Sequence, residues 1–379
     1  MLSELSEFLE VDIEKQLLID NLLSQEHIVR LCSPRLDDLC ADLKMEYREL
    51  PFSKFCPKCH RKYPDSENAC YECLVTLKDI KEKTPVKDID NRPKFTFKGK
   101  NDFKDFKSIL TEDNLVKVNE FRFTMKNYEN IIKNIKKTSL KNMDEMIKSN
   151  YIDMRELSIL EKILLFAKSF VKIDYKSYGQ ELGFFEKDKI IIDDRQNDSL
   201  KITTLIHELA HFILKEIING VLCKLLKCSK NNYINIISEY ILSYDNFPML
   251  IDEYSAHCCE GRFTVYGYQD YSSFLSIIER MNGEMSRDEI EITKSIGNNF
   301  ANTIKDILEM FIDDDLRDEI KSEFEWHNHD KPNYEMLKLE NCNKLTDEGY
   351  LKAIWLVVTD GFKTAMDNID ELEKYYNGA

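Results

Sequence analysis

Thr203-Thr204-Leu205-Ile206-His207-Glu208-Leu209-Ala210-His211-Phe212-Ile213 decides how the chain is read. Its apolar positions recur at helical spacing, which predicts a helix. Positions i and i+4 of a helix lie on one face, one turn apart. His207 and His211 therefore stand side by side, and two imidazoles so placed can bind one zinc ion at about 2.0–2.1 Å. Glu208 sits beside them and can reach a zinc-bound water without being a ligand. Zinc lowers the pKa of such a water to about 7, and a carboxylate takes its proton during attack on a carbonyl. The flanking Ile202, Leu205, Ile206, Leu209, Ala210, Phe212 and Ile213 are apolar. That predicts a buried helix, in which two idle histidines would be costly. Asp198 or Ser199 is the expected start and Asn219-Gly220 the expected end.

A catalytic zinc needs a third protein ligand and one open position. No His follows His211 until His257. The best candidate is Glu253, on a second expected helix 42 residues after His211. His257 is its main rival, and Asp252 is another. If Glu253 ligates, His257 at i+4 shares its face and can orient a ligand or contact the transition state. Ala256 is small enough for close packing against the first helix. Tyr254, Tyr266, Tyr268 and His257 are all candidates for stabilising a transition state.

Two elements precede the motif. Ser158 to Val171 (SILEKILLFAKSFV) has the pattern of an amphipathic helix. Gly183 to Asp194 (GFFEKDKIIIDD) reads as two short strands with a turn at Glu186 to Asp188. A long helix, a strand pair, the HExxH helix and a glutamate-bearing helix follow in order. In this the chain resembles gluzincin-type zinc metallopeptidases. The E-x-x-A of Glu253 to Ala256 is similar to that of the ImmA/IrrE-like and related compact families. The resemblance covers about Ser158 to Gly267. It implies a compact zincin-like domain and peptide-bond hydrolysis at one catalytic zinc. It also implies regulated cleavage of a repressor or partner protein. In such families the strand before the HExxH helix, here Lys189 to Asp193, is a sheet edge that takes the substrate as an added strand, a pairing that holds a peptide with little sequence demand. The families often place Asp four residues after the ligand Glu, where this chain has His257.

A second metal signal lies upstream. Cys56-Pro57-Lys58-Cys59 and Cys70-Tyr71-Glu72-Cys73 are two C-x-x-C turns ten residues apart. Each turn offers two thiolates, and together they complete a tetrahedral zinc site at about 2.3 Å per bond. With four protein ligands no position remains for water, so this zinc is expected to be structural. Iron is a minor alternative. Cys32, Cys40, Cys223, Cys228, Cys258, Cys259 and Cys342 show no ligand pattern, and His327 with His329 reads as a polar loop.

The rest of the chain bounds these readings. It has 379 residues, with 32% charged, 43% hydrophobic, 11 Gly and 8 Pro. That excludes disordered and collagen-like classes and suits a mostly helical α+β protein with a small sheet. The net charge of −16 makes bulk nucleic-acid or anionic-membrane binding a poor default. MLSELSEFLEVDIEKQ starts acidic and amphipathic, and no run of about 18 apolar residues occurs, so no leader and no membrane span are expected. Eleven cysteines in such a chain point to reduced thiols, metal ligands and the cytoplasm. Four pieces are expected: a helical region over 1–50, the zinc ribbon and linker over 51–93, a Lys-rich helical region over 94–150, and the zincin-like domain with a helical extension over 151–379. From Lys94 to Lys148 there are 13 Lys/Arg against 8 Asp/Glu, read as a solvated helix face more readily than as a nucleic-acid surface.

The functional expectation is a zinc-dependent endopeptidase acting on a specific protein. The alternative is a zinc-stabilised regulatory or adaptor protein that binds a partner protein or nucleic acid without turnover. The oligomeric state is not legible.

Overall fold

A computed structural model describes residues 52–56, 62–64, 68–70, 72–79, 85–91, 93–150, 152–176, 183–186, 189–264, 272–281, 285–328 and 344–378. The helices expected within 1–50 lie outside these residues. The described chain is mostly helical with small sheets, an α+β protein. None of its helices is long and apolar enough to cross a membrane.

The cysteine segment holds five short strands. β1 (Phe52–Phe55) pairs antiparallel with β2 (Lys62–Pro64) and β5 (Lys78–Asp79). β3 (Ala69–Cys70) pairs with β4 (Val75–Thr76). Next, residues 93–104 run without regular structure, followed by α1 (Phe106–Ile109), α2 (Glu112–Glu120) and α3 (Met125–Ser149). Thr124 caps α3, accepting from Asn127 N. Its buried Tyr128, Ile131, Ile135, Ser139, Met143 and Met146 follow helical spacing, which leaves most of its lysines on the outer face.

α4 (Ile159–Lys168) begins in a capping box, in which Ser158 and Glu161 satisfy each other's backbone N–H. It leads into a three-stranded sheet of β6 (Lys172–Lys176), β7 (Gly183–Glu186) and β8 (Lys189–Asp193). The strand order is β6-β8-β7, parallel between β6 and β8 and antiparallel between β7 and β8. This corrects the sequence reading at one point. Lys189 to Asp193 is a strand, but it is the central one, and the edge beside the HExxH helix is β7. Ile190, Ile191 and Ile192 are all buried, as a strand covered on both faces requires.

α5 (Asp198–Leu226) is the central element. It contacts α2, α3, α4, β7 and β8, and four further helices: α6 (Asn232–Ser243), α7 (Asn246–Glu260), α9 (Arg287–Leu308) and α10 (Asp314–Asn328); α6 in turn packs against α11 (Asp347–Asp367). Its cap is Asn197, one residue before the expected start, accepting from Leu200 N. Its end also differs. Asn219-Gly220 does not stop it; the helix runs six residues further, to Leu226, and Lys227 closes it at φ 53°. Gly220 has a packing role instead: a Cβ there would meet Ile131 Cγ2 of α3 at 2.5 Å. α8 (Ser272–Arg280) and α12 (Ile369–Gly378) complete the described helices. One hydrophobic core takes in residues on both sides of 150, from Val86 to Leu372.

Candidate metal centre

α5 and α7 pack against each other, and their contact brings three ligand atoms together. His207 Nε2 lies 3.2 Å from His211 Nε2. Glu253 Oε2 lies 3.8 Å from the first and 3.9 Å from the second. A triangle with those edges has a circumradius of about 2.1 Å, which matches zinc–nitrogen and zinc–oxygen bonds of about 2.0–2.2 Å. Two imidazole nitrogens and one carboxylate oxygen are also a donor set that suits zinc.

The outer nitrogens fix the orientation of both rings. Glu260 Oε2 is 3.2 Å from His207 Nδ1, and Asp252 Oδ1 is 2.9 Å from His211 Nδ1. Glu260 holds the proton of His207 on Nδ1 and turns its Nε2 lone pair inward, and the charge of Asp252 favours a proton on the Nδ1 side of His211. Two lone pairs 3.2 Å apart repel unless a cation or proton stands between them. The electrostatics agree. Burial lowers the His211 pKa, but Asp252 and Glu253 outweigh it and raise it to about 10. Burial also works against charge on His207, where the Glu260 contact prevails and the pKa is raised. For Glu253 burial raises the pKa, while His211, His207 and Ser273 bring the net below the usual range. The site favours a positive charge at its centre.

Of the three candidates for third ligand, Glu253 is the one that meets both Nε2 atoms. Asp252 stands behind His211. His257 stacks against His207, with ring centroids 4.6 Å apart. Its Nε2 lies 2.7 Å from Ser273 Oγ, which donates to Glu253 Oε2 at 2.6 Å. Burial, with His207 and His211 adding to it, holds the His257 pKa well below its usual value. His257 thus steadies Glu253 through Ser273. His207, His257 and Glu260 form a second group compact enough for a metal. Neither His257 nor Glu260 lines the adjoining cavity.

The cavity, of about 490 Å³, is lined by His207, Glu208, His211 and Glu253 on one side and by Gly183, Phe184 and Phe185 of β7 on the other. Glu208 is 7% exposed, and burial raises its pKa against the lowering pull of His207 and His211. β7 comes this close because residue 183 is Gly: a Cβ there would meet Thr204 Cγ2 at 2.4 Å and Ile191 O at 3.0 Å. Lys215, one turn past His211, holds its ammonium 4.4 Å from the Phe185 ring centroid and 3.9 Å from Glu239 Oε2.

The cysteine segment forms a second candidate centre. Cys56, Cys70 and Cys73 can bring their Sγ atoms within 4.8 Å of one another. Cys56 and Cys70 are fully buried. Leu74 N donates to Cys70 O at 2.8 Å, and Leu74 has φ 53°, so the chain folds tightly around the second turn. Cys59, the expected fourth ligand, lies outside the described residues, as do Cys32, Cys40, Cys342, His329, Tyr266 and Tyr268. Cys258 and Cys259 are core residues, and burial pushes the Cys259 thiol up to about 12, which leaves no nucleophile there. Tyr254 is fully buried in the core and does not line the cavity.

Sequence reasoning missed Glu260 and Ser273. Glu260 carried a signal, since it lies seven residues after Glu253, two turns along the same face. Ser273 carried none, because it arrives on another helix. No family model, curated protein or solved structure matches this chain.

Proposed function

We propose that the chain is a zinc-dependent metallopeptidase of gluzincin type with a compact zincin-like domain, and that it cleaves a specific protein partner. The observation that carries this reading is the triangle of His207 Nε2, His211 Nε2 and Glu253 Oε2, opening on a cavity that also holds Glu208. A bound zinc ion supplies Lewis acidity, polarising a carbonyl and making water acidic near neutral pH.

The protein's own groups supply the rest. Asp252 and Glu260 hold the two imidazoles in one tautomer. Ser273 and His257 keep the Glu253 carboxylate aimed at the same point. Glu208 accepts a proton from water as its oxygen attacks the scissile carbonyl carbon. It then returns that proton to the amide nitrogen as the C–N bond breaks, leaving a carboxylic acid and an amine. The edge strand β7 borders the cavity and offers a backbone against which an extended peptide can pair. That recognition demands little side-chain chemistry, which suits a partner chosen by docking.

In the same reading Cys56, Cys59, Cys70 and Cys73 hold a structural zinc, giving a segment too short for its own core a rigid frame. Action in the cytoplasm, where thiols stay reduced, suits such a thiolate site. The test is proteolysis by the whole chain and by Glu208→Gln, read as new protein N-termini in a protein mixture. The reading expects cleavage by wild type and a loss of about a hundredfold or more in the variant. Equal cleavage by both would remove Glu208 from the mechanism.

A further inference from the structure

We infer that the chain has a second ligand pocket, which binds an apolar α-amino acid as its zwitterion with Glu216 receiving the ammonium group. A cavity of about 490 Å³ lies where Asn91, residues 93–96, the start of β6, α5 and the start of α6 meet. It shares no lining residue with the metal-centre cavity. Glu216 lines it and is fully buried. One carboxylate oxygen, Oε1, accepts from Lys230 Nζ and from Asn219 Nδ2. The other, Oε2, is buried and has no hydrogen-bond partner. A buried carboxylate oxygen without a donor is costly, so an occupant bearing N–H groups is the chemistry it calls for.

The walls say which kind. Phe95 stacks on Phe170 with ring centroids 5.8 Å apart and meets Phe212 edge-on at 5.7 Å. Aromatic faces beside a carboxylate favour an ammonium and an apolar side chain. A simple amine would also face cations, because Lys230 and the exposed Lys94 line the same cavity. A simple carboxylic acid would face Glu216. A molecule carrying both charges meets both, with its ammonium directed at Glu216 and its carboxylate toward Lys94, Lys172 and Lys230. An amino acid fits the space, and Val171 and Pro93 extend its apolar wall.

Calorimetric titration of the full chain with L-phenylalanine and L-leucine tests this, beside three analogues: phenethylamine, which lacks the carboxylate; 3-phenylpropanoate, which lacks the ammonium; and L-phenylalaninamide, which mimics a peptide N-terminus. The inference expects at least one amino acid to bind at millimolar concentration or below. Each single-charge analogue should bind at least about tenfold more weakly, as each loses a charged hydrogen bond. Glu216→Gln and Lys94→Ala should each weaken the amino acid. Lys94 is exposed, so its variant keeps the test valid if Glu216→Gln fails to fold. Equal binding of L-phenylalaninamide would assign the pocket to peptide N-termini and overturn the amino-acid reading. Absence of binding by both amino acids, or binding unchanged in Lys94→Ala and in any folded Glu216→Gln, would overturn the pocket itself.

Discussion

Asp252 Oδ1 lies 2.9 Å from His211 Nδ1, while the next residue, Glu253, reaches the opposite side of the same ring, 3.9 Å from Nε2. Two adjacent carboxylates thus do different work: one sets the tautomer, and the other completes the ligand triangle. Asp252→Asn keeps the shape and removes the charge. It should weaken zinc binding by about 10–100-fold, measured by competition with a chelator of known affinity. Unchanged affinity would mean that Asp252 does not orient His211.

Glu260 stands behind His207 in the same way, at 3.2 Å from Nδ1. Glu260→Gln should lower zinc affinity by a similar factor. In the double variant with Asp252→Asn, the losses should multiply, since each carboxylate serves a different ring.

The motif helix, its two histidines, Glu208 and Glu253 were legible because an i, i+4 pair and a later carboxylate have fixed chemical meaning. The helix that starts at Ser158 and the β7–β8 pair were legible for local reasons, an amphipathic pattern and two short apolar runs. What failed was non-local. β6 enters the sheet beside β8 through pairing with a distant segment, so Lys189 to Asp193, expected at an edge from the family resemblance, is central. Gly220 looked like a helix end because nothing in the sequence says that Ile131 of α3 packs against it. Ser273 reaches Glu253 from twenty residues away and has no motif at all.

Gly220 gives a prediction whose sign separates packing from propensity. In an exposed helix, Gly→Ala stabilises by about 1 kcal/mol. Here the new methyl would meet Ile131 Cγ2 at 2.5 Å and Phe97 Cε1 at 3.0 Å. Gly220→Ala should therefore destabilise the chain, by about 1–3 kcal/mol, as overpacking does. Thermal unfolding measures it, and a raised melting temperature would contradict the packing seen between α3 and α5.

Gly183 tests the position of β7. A Cβ at 183 would meet Thr204 Cγ2 at 2.4 Å, and the cavity wall beside Glu208 would have to move. Gly183→Val should reduce proteolysis far more than it reduces zinc content, because the three ligand residues stand on α5 and α7. Zinc content and cleavage rate, measured on one preparation, separate the two effects.

Zinc per chain, measured by elemental analysis in wild type, His211→Ala and Cys59→Ser, decides whether the histidine–glutamate triangle holds a metal. Wild type should carry two zinc ions, with each variant losing one. Wild type with one zinc, lost only in Cys59→Ser and retained in His211→Ala, would contradict it, leaving the cysteine segment as the sole metal site and the protein as a zinc-stabilised binding module.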